Sequence, residues 1–268
     1  MEIESTLLHE LAEIVYKESG IIFKDSNLTV LESRLSSRLA EKKLSASEYL
    51  ALLRKNPAEL RDFLDFVTTN YTSFFRYPRH FEMLEHRILP QLVQKNSQKN
   101  LLFWSAGCST GEEPYSIAIT VDIFLKKNHL FDWTYEVIGS DISLQSLFSA
   151  REGIFPQKAL DKVPENIVRS YFLPQGNGYK IHPDIVKHVR FDYHNLIYDN
   201  GIRDIPVVFC RNVLIYFDFA VQLKVLENIH RSMQEGGFLF IGHSESLIGI
   251  TELFRAQSLG EGIVYVRQ

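Results

Sequence analysis

Glu112 and Glu113 follow directly on the glycine-bounded stretch Gly107-Cys-Ser-Thr-Gly111. Two adjacent carboxylates at the start of a helix restrict what such a turn can hold. An apolar run, Leu101 to Trp104, leads into the turn, and Pro114 opens a helix behind it. A buried strand, a tight turn and a helix N-terminus together form a common seat for a small polar cofactor. Glycine in the turn permits positive φ and lets a ligand approach the backbone closely. The spacing is not the G-x-G-x-x-G of a dinucleotide site, and the Gly-Lys-Ser/Thr ending of a P-loop is absent. Glu112 and Glu113 repel phosphate and favour an ammonium group. S-adenosylmethionine matches that charge pattern, since it has no phosphate and carries both an ammonium and a sulfonium. A second apolar run, Tyr135-Glu-Val-Ile-Gly-Ser-Asp141, ends in a carboxylate suited to accept both ribose hydroxyls. Each residue alone has a plainer reading. Gly107 and Gly111 suit any strand–helix turn, Glu112 favours the helix dipole, and Asp141 can serve as an N-cap. Their combination is what points to a cofactor.

Positioning these residues needs strands and helices in alternation, and the chain supplies them from Asn100 onward. Leu101–Ala106, Tyr135–Ser140, Val207–Cys210 and Phe238–Gly242 read as core strands, with helices at 114–127, 144–151 and 219–233 between them. Such alternation predicts a mainly parallel sheet covered by helices on both faces. Glu235-Gly-Gly237 reads as a helix stop, and Gly262–Arg267 as an edge strand. Residues 154–193 break the rhythm. There Tyr179–Ile181 and His188–Phe191 are expected to pair within a small antiparallel β insert, after the turn Gly176-Asn-Gly178.

The first part of the chain reads differently. Leu7, Leu8, Leu11, Ile14 and Val15, then Leu28, Leu31, Leu35 and Leu39, recur at helical spacing with no strand-like alternation. Ser47 is expected to cap a short helix, and Asn56-Pro57 to open the next. The expected organisation is a helical N-terminal domain at 1–77 and an α/β domain at 78–268, the latter opening on one helix from Pro78 to Gln94. Arg34, Arg38, Lys42 and Lys43 accompany the leucine stripe and form either a solvated basic face or a docking surface.

Composition limits the alternatives. The 268 residues are 45% hydrophobic and 23% charged, with a formal net charge of -4, so the whole molecule is no nucleic-acid magnet. No run approaches the roughly 18 apolar residues that span a membrane, and the acidic start has no signal-peptide pattern. Cys108 and Cys210 suit a reducing compartment as buried thiols. No Cys/His cluster has metal-ligand spacing, so no metal is expected, and the location expected is cytoplasmic.

Five segments carry a family resemblance: Thr68-Thr-Asn-Tyr-Thr-Ser-Phe-Phe-Arg76, Ser105 to Ser116, Asp192-Tyr-His-Asn-Leu196, Phe209-Cys-Arg-Asn-Val-Leu-Ile-Tyr-Phe217 and Gly242-His-Ser-Glu245. In this order, and over nearly the whole chain, they resemble the CheR-type chemoreceptor glutamate methyltransferases of bacterial chemotaxis. The resemblance implies a class I S-adenosylmethionine-dependent, Rossmann-like α/β fold with a helical N-terminal domain and a small antiparallel β insert. It also implies methyl esterification of receptor glutamates, with S-adenosylhomocysteine as the spent cofactor. Carried onto matching positions, Asn70, Thr72 and Arg76 contact the cofactor. Glu112 or Glu113 holds its amino end beside Gly107, Asp141 the ribose, and Asn195 and Leu196 the adenine. Arg211 and Asn212 border its reactive end. Arg76, Arg211 and Tyr216 are the implied catalytic set. Phe74 and Phe75 read as packing residues.

A glutamate carboxylate is already an anion near neutral pH, so the implied transfer needs no general base. Alignment is then the main task. In this family a basic N-terminal helix is thought to meet the acidic methylation region of the receptor bundle. In some relatives the β insert captures a receptor tail peptide by strand addition. Competing readings are a methyltransferase acting on nucleic acid or a small molecule, and a non-catalytic cofactor-binding signalling module. The acidic charge and the lack of a Pro-Pro-Tyr type base-stacking motif count against a DNA-base enzyme.

Overall fold

In a computed structural model of the protein, the residues described are 3–24, 27–68, 71–260 and 262–268. The chain forms two compact units. Met1–Thr69 and Ile215–Gln222 make one, and Asn70–Leu214 and Leu223–Gln268 the other.

The smaller unit is built on α1 (Ser5–Ser19), α2 (Leu28–Lys42), α3 (Ala46–Lys55) and α4 (Pro57–Val67). Apolar residues at helical spacing fill its centre: Leu8, Leu11 and Val15 from α1, Leu31, Leu35 and Leu39 from α2, Tyr49 and Leu53 from α3, Phe63 and Val67 from α4. The helix ends follow from local chemistry. Gly20, at φ 76°, closes α1 by donating its N–H to the Tyr16 carbonyl. Ser45, rather than Ser47, caps α3 in a reciprocal box with Glu48. Asn56 caps α4 with Pro57 in its first turn. Ile215–Gln222 returns to this unit late in the chain. Phe217 bridges Ile21, Ile22 donates its N–H to the Tyr216 carbonyl at 2.9 Å, and the Tyr16 hydroxyl donates to Asp218 at 2.7 Å.

A buried carboxylate sits within this bundle. Glu59 lies 2.8 Å from Arg38 and 2.7 Å from Lys42, and accepts the Tyr49 hydroxyl at 2.9 Å. Burial raises its pKa, but Lys42, Tyr49 and Arg38 outweigh that and hold the carboxyl below the ordinary range. Arg34 donates to the backbone carbonyls of Phe66 and Thr68. Three of the four charges expected on one basic face, those on α2, are therefore engaged inside the unit, and Lys43, which caps α2, is exposed.

The larger unit opens on α5 (Pro78–Met83), a π-helical turn (Leu84–Ile88) and α6 (Leu89–Lys95). The uninterrupted helix expected here widens at the π turn, where Leu89 N–H reaches back to the Leu84 carbonyl. Pro90, which has no N–H to give, follows at once. The remaining elements are β1 (Asn100–Ala106), α7 (Glu112–Lys127), β2 (Thr134–Asp141), α8 (Leu144–Glu152), β3 (Ile154–Pro156), α9 (Glu165–Tyr171), β4 (Phe172–Gln175), β5 (Gly178–Ile181), α10 (Pro183–Val186), β6 (Val189–Tyr193), β7 (Ile205–Cys210), α11 (Phe219–Ser232), β8 (Met233–Ile241), β9 (Phe254–Leu259) and β10 (Gly262–Arg267).

The main sheet has 7 strands in the order β6-β2-β1-β7-β8-β10-β9. β6, β2, β1, β7 and β8 run parallel, and β10 and β9 complete it antiparallel. Every residue of β7 is buried, as expected for a strand covered on both faces. Phe209 and Phe240 stack at 4.4 Å in the core. A separate 3-stranded antiparallel sheet has the order β3-β5-β4.

Three expectations need correction. Val189–Tyr193 does not pair with Tyr179–Ile181; it is an edge strand of the main sheet, parallel to β2. The short α10 intervenes, and His188 stacks on Tyr135 at 4.0 Å, directing the chain to β2 instead. Gly262–Arg267 is interior, because β9 lies outside it. β9 is polar and largely exposed, so its pattern gives little strand signal. Gly236 and Gly237 lie within β8, and α11 stops earlier, at Ser232.

Candidate cofactor site

The C-terminal ends of β1, β2, β7 and β8 converge where the strand order reverses between β1 and β7. In open α/β sheets that crevice is where ligands bind. The turn after β1 is fixed by its neighbours. Gly107 and Cys108 both donate to the Ser140 carbonyl, at 2.8 and 2.9 Å. Gly107 has φ +81°, and a Cβ there would stand 2.5 Å from Val213 Cγ2. Asp141 is 8% exposed. Its carboxylate accepts Ser109 N–H at 2.7 Å and Ser143 N–H at 2.9 Å, locking the β1 turn to the start of α8. The N-cap of α8 is Ser143, not Asp141.

The two glutamates face different partners. Glu112 accepts the Thr110 hydroxyl at 2.7 Å. Glu113 accepts the Ser105 hydroxyl at 2.7 Å, and its other oxygen lies 3.4 Å from Arg211 Nη1. Ser105, next to last in β1, lies opposite Phe209 of β7, so Glu113 is the carboxylate at the switch point. Burial pushes both carboxyls above their ordinary range. For Glu113, the guanidinium of Arg211 and the Ser105 hydroxyl oppose that rise.

Arg211 is buried, with only 1% of its side chain exposed. Nη2 donates to the Arg76 carbonyl, while Nε and Nη1 have no hydrogen-bond acceptor. A buried guanidinium with unused donors carries a large desolvation cost, and that burial lowers the Arg211 pKa. Asn212 follows at φ 59°. Its side-chain amide donates to the Tyr77 hydroxyl at 3.3 Å, and its Oδ1 is buried with no partner.

The segment before α5 brings further groups. Arg76 lies 5.4 Å from the Tyr71 ring and 5.3 Å from the Tyr77 ring, in cation–π range. Thr72 is half-buried nearby in sequence. Phe74 packs edge-on against Phe155 and Phe172. Phe75 donates its N–H to Ser116 at 2.9 Å, which ties this segment to α7. After β6, His194 N–H bonds the Asp141 carbonyl at 2.9 Å. Asn195 Oδ1 accepts Ile197 N–H at 3.2 Å, and Leu196 is buried. Asn195 and Leu196 therefore follow β6 and start beside the end of β2.

Sequence reasoning left four residues here without a role. Tyr77 stacks on His243 at 3.8 Å with planes 16° apart, and Arg211 lies 5.0 Å from the same Tyr77 ring. His80 is buried, with Nδ1 unpartnered; burial, then Arg211, pushes its pKa down to about 3. Glu245 Oε2 accepts Asn212 N–H and Gly242 N–H. The segment Gly242-His-Ser-Glu245 was visible in sequence, but its contacts cross strands and leave no local signal.

Asn70 is outside the described residues. Tyr216 belongs to Ile215–Gln222, which groups with the helical unit. Cys108 and Cys210 are free and buried, and burial raises both thiol pKa values. Among the described residues no Cys, His, Asp or Glu cluster suits a metal, and no helix is long and apolar enough to cross a membrane.

Strand order, a switch-point carboxylate and a second acid closing β2 define a Rossmann-like site of the S-adenosylmethionine-dependent methyltransferase class. Comparison with known proteins agrees. Residues 70–263 match the CheR methyltransferase, SAM binding domain, and residues 7–68 match the CheR methyltransferase, all-alpha domain. A chemotaxis protein methyltransferase of Borreliella burgdorferi is 34% identical over 90% of this chain and 88% of its own. Chemotaxis protein methyltransferase 2 of Pseudomonas aeruginosa is 35% identical over 92% and 89%. The chain belongs to the CheR methyltransferase family, and its larger unit contains that family's S-adenosylmethionine-binding domain.

The residues present fit that cofactor. Glu113 offers a carboxylate to an ammonium. Arg211 has unused N–H donors for a carboxylate, and Asn212 Oδ1 is an unused acceptor.

Proposed function

We propose that the protein transfers the methyl group of S-adenosylmethionine to glutamate side chains of chemoreceptors, giving glutamyl methyl esters for chemosensory adaptation. The observation that carries the site reading is the buried Glu113–Arg211 pair, in which two Arg211 nitrogens, Nε and Nη1, have no hydrogen-bond acceptor. Glu113 takes the cofactor's ammonium, Arg211 its carboxylate, and Asp141 its ribose. Thr72, Asn195, Leu196 and Asn212 complete the pocket, with Gly107 allowing close approach. Asn70 keeps its place from family resemblance alone.

S-adenosylmethionine, when bound, supplies an electrophilic sulfonium methyl group. The receptor carboxylate is ionised near neutral pH and is itself the nucleophile, so no side chain of this protein has to remove a proton. The residues' work is orientation. Arg76 orients the acceptor through guanidinium hydrogen bonds. Too firm a grip would stabilise the ground-state anion and slow the transfer. Tyr216 is assigned a hydrogen bond near the acceptor, on family resemblance.

Docking to the receptor's acidic methylation region is assigned to the α2 end of the helical unit. Exposed Lys43 supplies free charge there, and Arg34, Arg38 and Lys42 shape the surface beneath it. The outer strands β3 and β4 are the places where a receptor tail peptide would add to the small sheet. The reaction is assigned to the cytoplasm, where receptor methylation regions lie.

Incubation with methyl-labelled S-adenosylmethionine and receptors from the same cell tests the reading. Base-labile label on receptor glutamates is expected. Label on another acceptor, or none, overturns the assigned substrate.

A further inference from the structure

We infer that Glu245 is a positioning residue, whose carboxylate sets the end of β7 so that Arg211 and Asn212 meet the amino-acid end of the cofactor. The inference rests on the cofactor reading above and adds a residue with no assigned role.

One oxygen of Glu245 does two things. It accepts Asn212 N–H at 2.9 Å and Gly242 N–H. It thereby joins the ends of β7 and β8, which are neighbours in the sheet. The Glu245 backbone N–H donates to the Gly242 carbonyl at 3.0 Å, so the turn that carries the carboxylate is itself closed. Asn212 is at φ 59°, a left-handed conformation that asparagine tolerates better than other side chains but that remains less favourable than the right-handed regions. The bond from Asn212 N–H to Glu245 helps to hold it there. Gly242 leaves the room, because a Cβ there would stand 2.7 Å from both Asn212 Nδ2 and Glu245 Oε2.

The same turn presents His243, whose ring stacks on Tyr77. Tyr77 in turn receives the Asn212 amide N–H through its hydroxyl and lies beneath the Arg211 guanidinium. Glu245, Asn212, Tyr77 and His243 thus form a chain of contacts beside Arg211. Without Glu245, two backbone N–H groups lose their acceptor and Asn212 loses a bond that helps to hold its backbone.

Since a single oxygen accepts both N–H groups, the amide oxygen of Glu245→Gln can replace it, whereas Glu245→Met and Glu245→Ala cannot. Calorimetric binding of S-adenosylhomocysteine and of methylthioadenosine, which lacks the amino-acid end, tests this on the full chain. Glu245→Met and Glu245→Ala are expected to bind S-adenosylhomocysteine at least tenfold more weakly and methylthioadenosine within threefold of the parent. Glu245→Gln should remain within threefold for both.

Equal losses for both ligands would mean a general structural role and overturn the inference. So would unchanged binding by folded Glu245→Met, a Glu245→Gln variant as weak as Glu245→Met, or failure of both apolar variants to fold. A parent protein that binds neither ligand would instead remove the cofactor reading itself.

Discussion

Adjacent glutamates of the same type acquire different chemistry here from one residue's difference in direction. Glu112 turns to Thr110, and Glu113 reaches Ser105 and Arg211. Glu113→Gln should weaken S-adenosylhomocysteine binding at least tenfold, equivalent to about 1.4 kcal/mol, and Glu112→Gln less than threefold. Calorimetry checks the pair, and the reverse order would reassign the ammonium contact. His80 offers a second test. The unfolded chain takes up this imidazole proton near pH 6.5, but the folded protein only near 3. Protonation therefore favours unfolding. The His80 contribution is complete above about pH 6.5 and declines by about 1.4 kcal/mol per unit as pH falls through the window. Glu112 and Glu113, with raised pKa values, act in the opposite sense but equally in parent and variant. His80→Phe should flatten the difference in denaturation midpoint between pH 7 and pH 5. A parallel decline in both proteins would show that His80 is not the source.

At the scale of elements, the β1–α7 turn and the α2–α4 contact depend on single residues. Gly107→Ala forces a Cβ against Val213 at positive φ, so a destabilisation of about 1–3 kcal/mol is expected from backbone strain. Denaturant titration measures it, and an unchanged midpoint would show that the turn relaxes. In the helical unit, Glu59 neutralises Arg38 and Lys42 beneath the surface. Removing one partner of a buried ion pair costs about 3–5 kcal/mol, and partial exposure of Lys42 places Glu59→Gln near the lower end. Lys43→Glu should leave thermal stability nearly unchanged yet slow receptor methylation, most visibly at low salt. Charge reversal at Arg38 cannot serve as that docking test, since it would put a second carboxylate beside Glu59. If Lys43→Glu methylates receptor at the parental rate at low salt, the α2 end is not the docking surface.

For the whole molecule, ligand binding and stability are linked. S-adenosylhomocysteine at about a hundred times its Kd adds roughly 2.7 kcal/mol to the state that binds it. At about 2–4 °C per kcal/mol for a domain of this size, the melting transition of the larger unit should rise by several degrees. A phosphorylated dinucleotide should produce no shift, because Glu112 and Glu113 oppose its phosphates. Differential scanning calorimetry with each ligand decides. Stabilisation by the dinucleotide alone would contradict the charge argument from which the cofactor assignment began. Net charge, at -4, gives no general attraction for an acidic receptor segment. Any steering must therefore come from local charge, and salt should slow methylation only modestly.

The sequence by itself determined what depends on neighbours in the chain. Apolar periodicity set the helical stripes and the buried parallel strands, and Gly107, Glu112, Glu113 and Asp141 announced a phosphate-free cofactor through their charge and spacing. Tertiary structure decided what depends on residues far apart. It sent Val189–Tyr193 to β2, placed the polar β9 outside β10, and turned Arg38 and Lys42 onto Glu59. It also turned the adjacent glutamates to different partners and brought Tyr77 and Glu113 to Arg211. Periodicity records only that a face is buried. Which group meets a buried charge is settled by strand order and packing, since a desolvated ion must find its partner wherever the fold brings one.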